Sequence, residues 1–297
     1  MIKPDYKFMH VILNQCLRLS GGKAMFSVFL YSFIQFIVMG IAVAPVSSPL
    51  GNSIYAVLLS LLLLFVMNVC SEVSLFGLYK IMSSLVEKKF VTIGFLFFGF
   101  RRDRKRIFGT GIAFTSIYSI LAVIAVFIYY IFKDNLSGLV EKLGGAQAIP
   151  FAALILIVVG VIITIPFSFV RLILYNDRNS GVFRAFIKSA SLMKGNLLRF
   201  VGFVFYSCGF HLIQALVIQM FLMFASSSQS ESGSYQLLTT FLSIAAIIAQ
   251  YKALTRYFLS VTIYYYSLLG VIHPHKSDET QSQEPLQKQE LTDERLD

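Results

Sequence analysis

Few side chains in this 297-residue sequence combine a reactive type with an unusual setting. Glu72 is an acid inside a long apolar run, where an ionisable group is costly and often functional. Arg171, Lys252 and Arg256 are the bases with which it could pair. The alternatives are a boundary residue that reaches water and a transport or proton-relay site. His211 and Gln214 lie three residues apart, so a helix places them on one face. Gln219 and Gln250 could extend a polar seam, and such seams ordinarily hydrogen-bond helices to one another. Glu72, His211, Gln214 and Arg256 therefore form the candidate polar site.

Motifs with a catalytic mechanism are missing. The sequence has no H-E-x-x-H, no Walker A loop and no G-x-S-x-G. Gly109-Thr110-Gly111 lacks the third glycine of a dinucleotide-binding turn. Hydrolysis between paired carboxylates needs two acids across a bond, and Glu72 stands alone in its apolar run. Cys16, Cys70 and Cys208 form no CxxC pair and no even-numbered framework, so they read as small apolar fillers. His273-Pro274-His275 reads as a solvated pair of histidines. The expectation is a protein without enzymatic activity, metal or cofactor.

The elements that hold these residues are apolar helices. Hydrophobic residues make up 57% and charged residues 13%, half the charge of an ordinary globular domain. Mean hydropathy is +0.74. A span needs about 20 apolar residues, and six stretches qualify. They run over 24–46, 54–75, 108–132, 149–175, 197–225 and 235–257. The first exceeds the 7–15 residues of a signal-peptide core, so it reads as a retained helix. None alternates as a barrel strand does. The fold class is thus all-α, a polytopic membrane protein with six transmembrane helices. Residues 1–23 form an amphipathic segment, 24–270 the transmembrane domain, and 271–297 an acidic tail expected to be disordered.

Basic residues set the orientation. All Lys and Arg except Lys133 and Lys142 fall on the side of both termini or near its interface. Basic excess marks the cytoplasmic face, so both ends lie inside. The tail holds seven acids and three bases, which leaves residues 1–270 nearer +14 than the overall +10. Topology and lipid contact account for this charge, and no nucleic-acid motif accompanies it.

Three cytoplasmic pieces read as interfacial helices: 6–20, ended by Gly21-Gly22; 90–100, rich in Phe; and a third opened by Ser180-Gly181. The candidate lipid or partner contacts are Arg101, Arg102, Arg104, Lys105, Arg106, Arg184, Lys188 and Lys194. The expected ligands are anionic headgroups, with a partner protein or a second copy as further candidates. At 235–269 the last helix is too long, and Tyr257, Tyr264, Tyr265 and Tyr266 fit an interfacial aromatic belt. Beyond about Arg256 it must project from the membrane or bend along it. Pro166 predicts a kink in the fourth span. If that kink framed the polar site, the chain would read instead as a transporter or permease subunit.

One local pattern is more specific. Asn176-Asp177, Ala185, Ser189 and Ser191-Leu192-Met193-Lys194-Gly195-Asn196 resemble the central signature, of S-x-x-x-M-K-G type, of an uncharacterised bacterial integral-membrane family. That family is related to the membrane domain of some glycerophosphodiester phosphodiesterases. Leu17-Arg18-Leu19-Ser20-Gly21-Gly22, Leu96-Phe97-Phe98-Gly99-Phe100 and Tyr257, Thr262, Tyr265-Tyr266 resemble its other segments in order. Arg256 stands where the family has proline, and Asn176-Asp177 reverses its usual order. The resemblance implies six helices in a bacterial cytoplasmic membrane. It implies no activity and no catalytic residue.

Overall fold

The computed structural model describes residues 5–47, 54–101, 104–120, 164–227 and 233–272. Among these the chain is all-helical. Helix α1 spans Tyr6–Ser47 and α2 spans Ile54–Val86. A 3-10 turn at Ile93–Phe97 leads into the short α3, Phe98–Arg101. Helix α4 covers 104–120. A second 3-10 turn, Ile165–Phe167, precedes α5 at Val170–Asn176 and α6 at Val182–Met193. Helices α7, Leu197–Ser227, and α8, Gly233–Leu268, complete the order. Leu58–Val86 and Leu197–Leu222 are long and apolar enough to cross a membrane. Residues 121–132 of the expected third span, 149–163 of the fourth, Arg102 and the tail histidines lie outside the described residues.

Length explains the shape of the packing. At 1.5 Å per residue the 42 residues of α1 reach about 63 Å, twice a bilayer's hydrocarbon core. The surplus forms a closely packed end. There Leu13 on α1, Leu78 on α2, Leu172 on α5, Phe203 on α7 and Leu259 on α8 are all fully buried. At the other end the same helices turn apolar side chains outward, among them Phe36, Leu62, Phe221 and Phe241. Phe8, Lys88 and Ile272 line one groove in the packed half.

Helix α1 breaks next to the expected Gly21-Gly22: Ser20 is non-helical (φ −147°, ψ 16°), and a second helical stretch continues beyond it. Three expectations are corrected. Residues 90–100 are not one amphipathic helix. Residues 89–92 are non-helical, and Leu96 is buried against α2 while Lys80 sits 4.0 Å from the Phe95 ring and 3.4 Å from that of Phe98. The tyrosine belt is not interfacial either: Tyr264, Tyr265 and Tyr266 are buried in the core. The third correction concerns Arg106, described below. Helix α8 itself is unbroken from Gly233 to Leu268.

Close backbone approach makes the α2 contact possible. A Cβ at Gly77 would lie 2.5 Å from the Phe95 carbonyl oxygen and nearer still to that of Leu96. A Cβ at Gly99 would lie 2.7 Å from the Val73 carbonyl oxygen. Backbone cannot give way as a flexible side chain does, so Gly77→Ala should destabilise the fold by about 1–3 kcal/mol. Denaturant titration in mild detergent measures this, and an unchanged midpoint would contradict the packing.

Candidate functional site

The site is built around the break that Pro166 imposes. Proline has no N–H for the helical ladder, and the backbone tightens to a 3-10 turn before α5 restarts at Val170. The Pro166 carbonyl and the Phe169 N–H find their partner in one side chain of α6. Ser189 Oγ donates to the Pro166 oxygen at 2.8 Å and accepts from the Phe169 nitrogen at 3.2 Å. Ser189 and, one turn earlier, Ala185 are fully buried, so α6 lies close against this joint. Small residues at this spacing were legible in the sequence; the partner across 23 residues was not.

Directly after the joint, Arg171 turns into the core. Its Nε donates to Glu72 Oε2 at 3.0 Å, and its Nη2 reaches the same oxygen. Both side chains are nearly buried, at 9% and 12% exposure. The guanidinium carbon stands 4.2 Å from the Phe114 ring centre and 5.9 Å from that of Tyr79. Of the three bases open to Glu72, the structure selects Arg171. Gly111 lets α4 approach here, since a Cβ on it would meet the Val69 carbonyl oxygen at 3.1 Å. Next to the pair, the Gln35 amide donates to Ser71 Oγ and ties α1 to α2.

The other members of the expected polar site lie elsewhere. His211 lines a separate cavity with Lys252 and Arg256, which Glu72 does not reach. Gln214, though exposed, hydrogen-bonds His211 on the same helix, while Gln219 and Gln250 are exposed and do not extend the pair into a seam. Arg256 is half-buried, and its Nη1 donates to the Ser207 carbonyl at 3.3 Å.

The basic residues divide into two kinds. Arg106 turns inward, and its Nη2 donates to the carbonyls of Asp177 (2.8 Å) and Ser180 (2.7 Å). It approaches the Leu174 carbonyl as well, at 3.4 Å, where the end of a helix favours a cation. That engagement corrects its place among the lipid contacts: the unpaired carbonyls of a sharp turn attract the nearest guanidinium. Arg101, Arg104 and Lys105 are exposed. On α6, Arg184 and Lys188 are exposed beside Phe183 and Ile187, with Lys188 3.6 Å from Asp177. Lys194 is exposed at the turn into α7, which Gly195 permits by its φ of +80°. Among the described residues no cluster of His, Cys, Asp and Glu could hold a metal ion.

Hydroxyl groups from α8 close the packed end. Tyr266 donates to Glu87 Oε1 at 2.6 Å and to Asn176 Oδ1 at 3.3 Å, while Tyr264 donates to the Asn196 carbonyl at 3.4 Å. Helix α8 thus touches both ends of the 176–196 stretch, Asn176 through Tyr266 and Asn196 through Tyr264. Comparison with family models, curated proteins and solved structures gives no match. Function therefore rests on the residues themselves.

Burial disfavours the charged phenolate and pushes Tyr264 up to about 12 from an ordinary 10.0. Tyr266 is raised too, first by burial and then by its bond to Glu87. A raised folded-state value gives stability that is complete below pH 10 and lost as pH climbs toward 12. Tyr264→Phe should flatten this alkaline loss, followed by unfolding and tyrosinate absorbance. An equally steep loss in the variant would show that Tyr264 plays no part in it.

Proposed function

We propose that this chain is a multi-pass membrane protein without enzymatic activity, which holds anionic lipid headgroups against a basic, aromatic cytoplasmic collar. Six spans with both termini inside form its frame, and the family resemblance supports a bacterial cytoplasmic membrane. Contiguous apolar surface at one end of α1, α2, α7 and α8 suits lipid, because monomers rarely keep such surface in water. The exposed Lys and Arg suit the anionic inner leaflet, where each contributes about 1 kcal/mol.

The outer face of α6 carries this reading. Phe183 is 79% exposed and Ile187 57%, one turn apart, with Arg184 and Lys188 in the adjoining stripe. Ala185, Ser189 and Met193 occupy the opposite, buried face. A helix that packs one face inward and offers apolar and cationic groups together outward is suited to a headgroup layer. Leu198, 85% exposed just beyond the Gly195 turn, extends that surface. The transporter reading loses its main support, since Glu72 is occupied by Arg171 and separated from His211.

The test has two parts. Reporter tags at both ends should report the cytoplasm, and a tag within 228–232 the far side. Changing Arg101, Arg104, Arg184 and Lys188 together to Gln should lower phosphatidylglycerol retained on purification by about tenfold or more, leaving phosphatidylcholine unchanged. Unchanged retention would overturn the lipid reading and turn attention to a protein partner or a second copy. Termini on the far side would overturn the frame.

A further inference from the structure

Charge in this protein is compensated unevenly. Arg171 has Glu72, and Lys89 has Glu87 at 2.5 Å. Lys252 and Arg256 form no ion pair with any described residue, although one helical turn brings them together on α8. They border a cavity of about 270 Å³ into which α7 contributes His211. Leu17 and Met25 of α1, on either side of the Ser20 bend, supply its apolar wall. No acid lines it.

Two details show that the polar groups here are only partly satisfied by the protein, beyond the Gln214 side chain that bonds the His211 ring. His211 Nδ1 is buried and makes no hydrogen bond. The contact of Arg256 with the Ser207 carbonyl accounts for one of the five N–H groups a guanidinium offers. Three nitrogen-bearing side chains facing one space repel when charged, and a half-buried cation without a partner is costly. An anion relieves both problems. Phosphate oxygens suit an arginine fork, an ammonium and an imidazole N–H at once. The Leu17 and Met25 wall then distinguishes a lipid from free phosphate, because it gives glycerol and upper acyl carbons a surface to cover.

We propose that the crevice between α1, α7 and α8 is a discrete phosphate site that seats the headgroup of an anionic phospholipid, with Lys252, Arg256 and His211 as its donors. It rests on the membrane reading above but not on the α6 face. The collar meets many headgroups loosely, whereas this crevice holds one between helices. The bound lipid would bridge α7, α8 and the bend of α1.

Native mass spectrometry of the full chain, stripped in detergent and titrated with phosphatidylglycerol or phosphatidylcholine, tests this. The intact protein should keep one phosphatidylglycerol after the loosely held ones are lost, and should keep no phosphatidylcholine. Lys252→Gln with Arg256→Gln should weaken that single adduct by about tenfold or more, while the exchange of Lys252→Arg with Arg256→Lys should largely keep it. Gel filtration and thermal unfolding show that both variants fold. Displacement by inorganic phosphate alone would support the anion site and make free phosphate its source; its failure to displace would support the lipid. Undiminished phosphatidylglycerol binding in the double Gln variant would overturn the proposal. The collar variant at Arg101, Arg104, Arg184 and Lys188 separates the two sites: it should keep the single tight adduct, and if it alone loses lipid the crevice fails while the collar stands.

Discussion

A buried acid and a buried base that cannot part without stranding a charge set the terms for the rest of this structure. Glu72 belongs to α2 and Arg171 to the first turn of α5. In an apolar core either one alone would face a large desolvation penalty, so the two helices must meet where the pair meets. The neighbouring choices follow from that meeting. Gly111 lets α4 come close enough for Phe114 to lie over the guanidinium. The Pro166 break lets the chain turn so that Arg171 enters the core, and Ser189 satisfies the backbone groups that the break exposes.

From this joint the packed end is assembled outward. Phe169 lies against Phe200, Tyr264 and Tyr265, which brings α7 and α8 onto α5. Arg106 holds the turn after α5 and thereby sets where α6 begins. Helix α6 can then bury Ala185 and Ser189 while keeping Phe183 and Ile187 outside. The outer face of α6, apolar and cationic together, is a consequence of internal packing. Its amphipathic character is inherited from the need to cover α5.

Much of the architecture was legible because it depends on one-dimensional properties. Apolar runs of sufficient length give helices, Pro166 gives a break and Gly195 gives a turn. The α6 stripe was readable for the same reason. What escaped depends on partners distant in sequence. Tyr264 to Tyr266 look interfacial by type, and only the convergence of α5 and α7 on them makes them core. Arg106 stands in a basic run with Arg104 and Lys105, and nothing local distinguishes the one that turns inward to the carbonyls of Asp177 and Ser180. The phenylalanines of 95–98 read as lipid-facing, yet Lys80, on another helix, draws Phe95 and Phe98 inward. Glu72 offered three partners, and choosing among them required the fold itself.

A double-mutant cycle on Glu72 and Arg171, read by reversible unfolding in mild detergent, bears most directly on the central joint. Glu72→Gln and Arg171→Gln should each cost about 3–5 kcal/mol, because each strands the other charge. Replacing both together with apolar residues of similar volume should recover most of that loss, giving a strongly non-additive cycle. Single variants as stable as the unaltered chain, or losses that simply add, would show that the two charges do not hold α2 and α5 together.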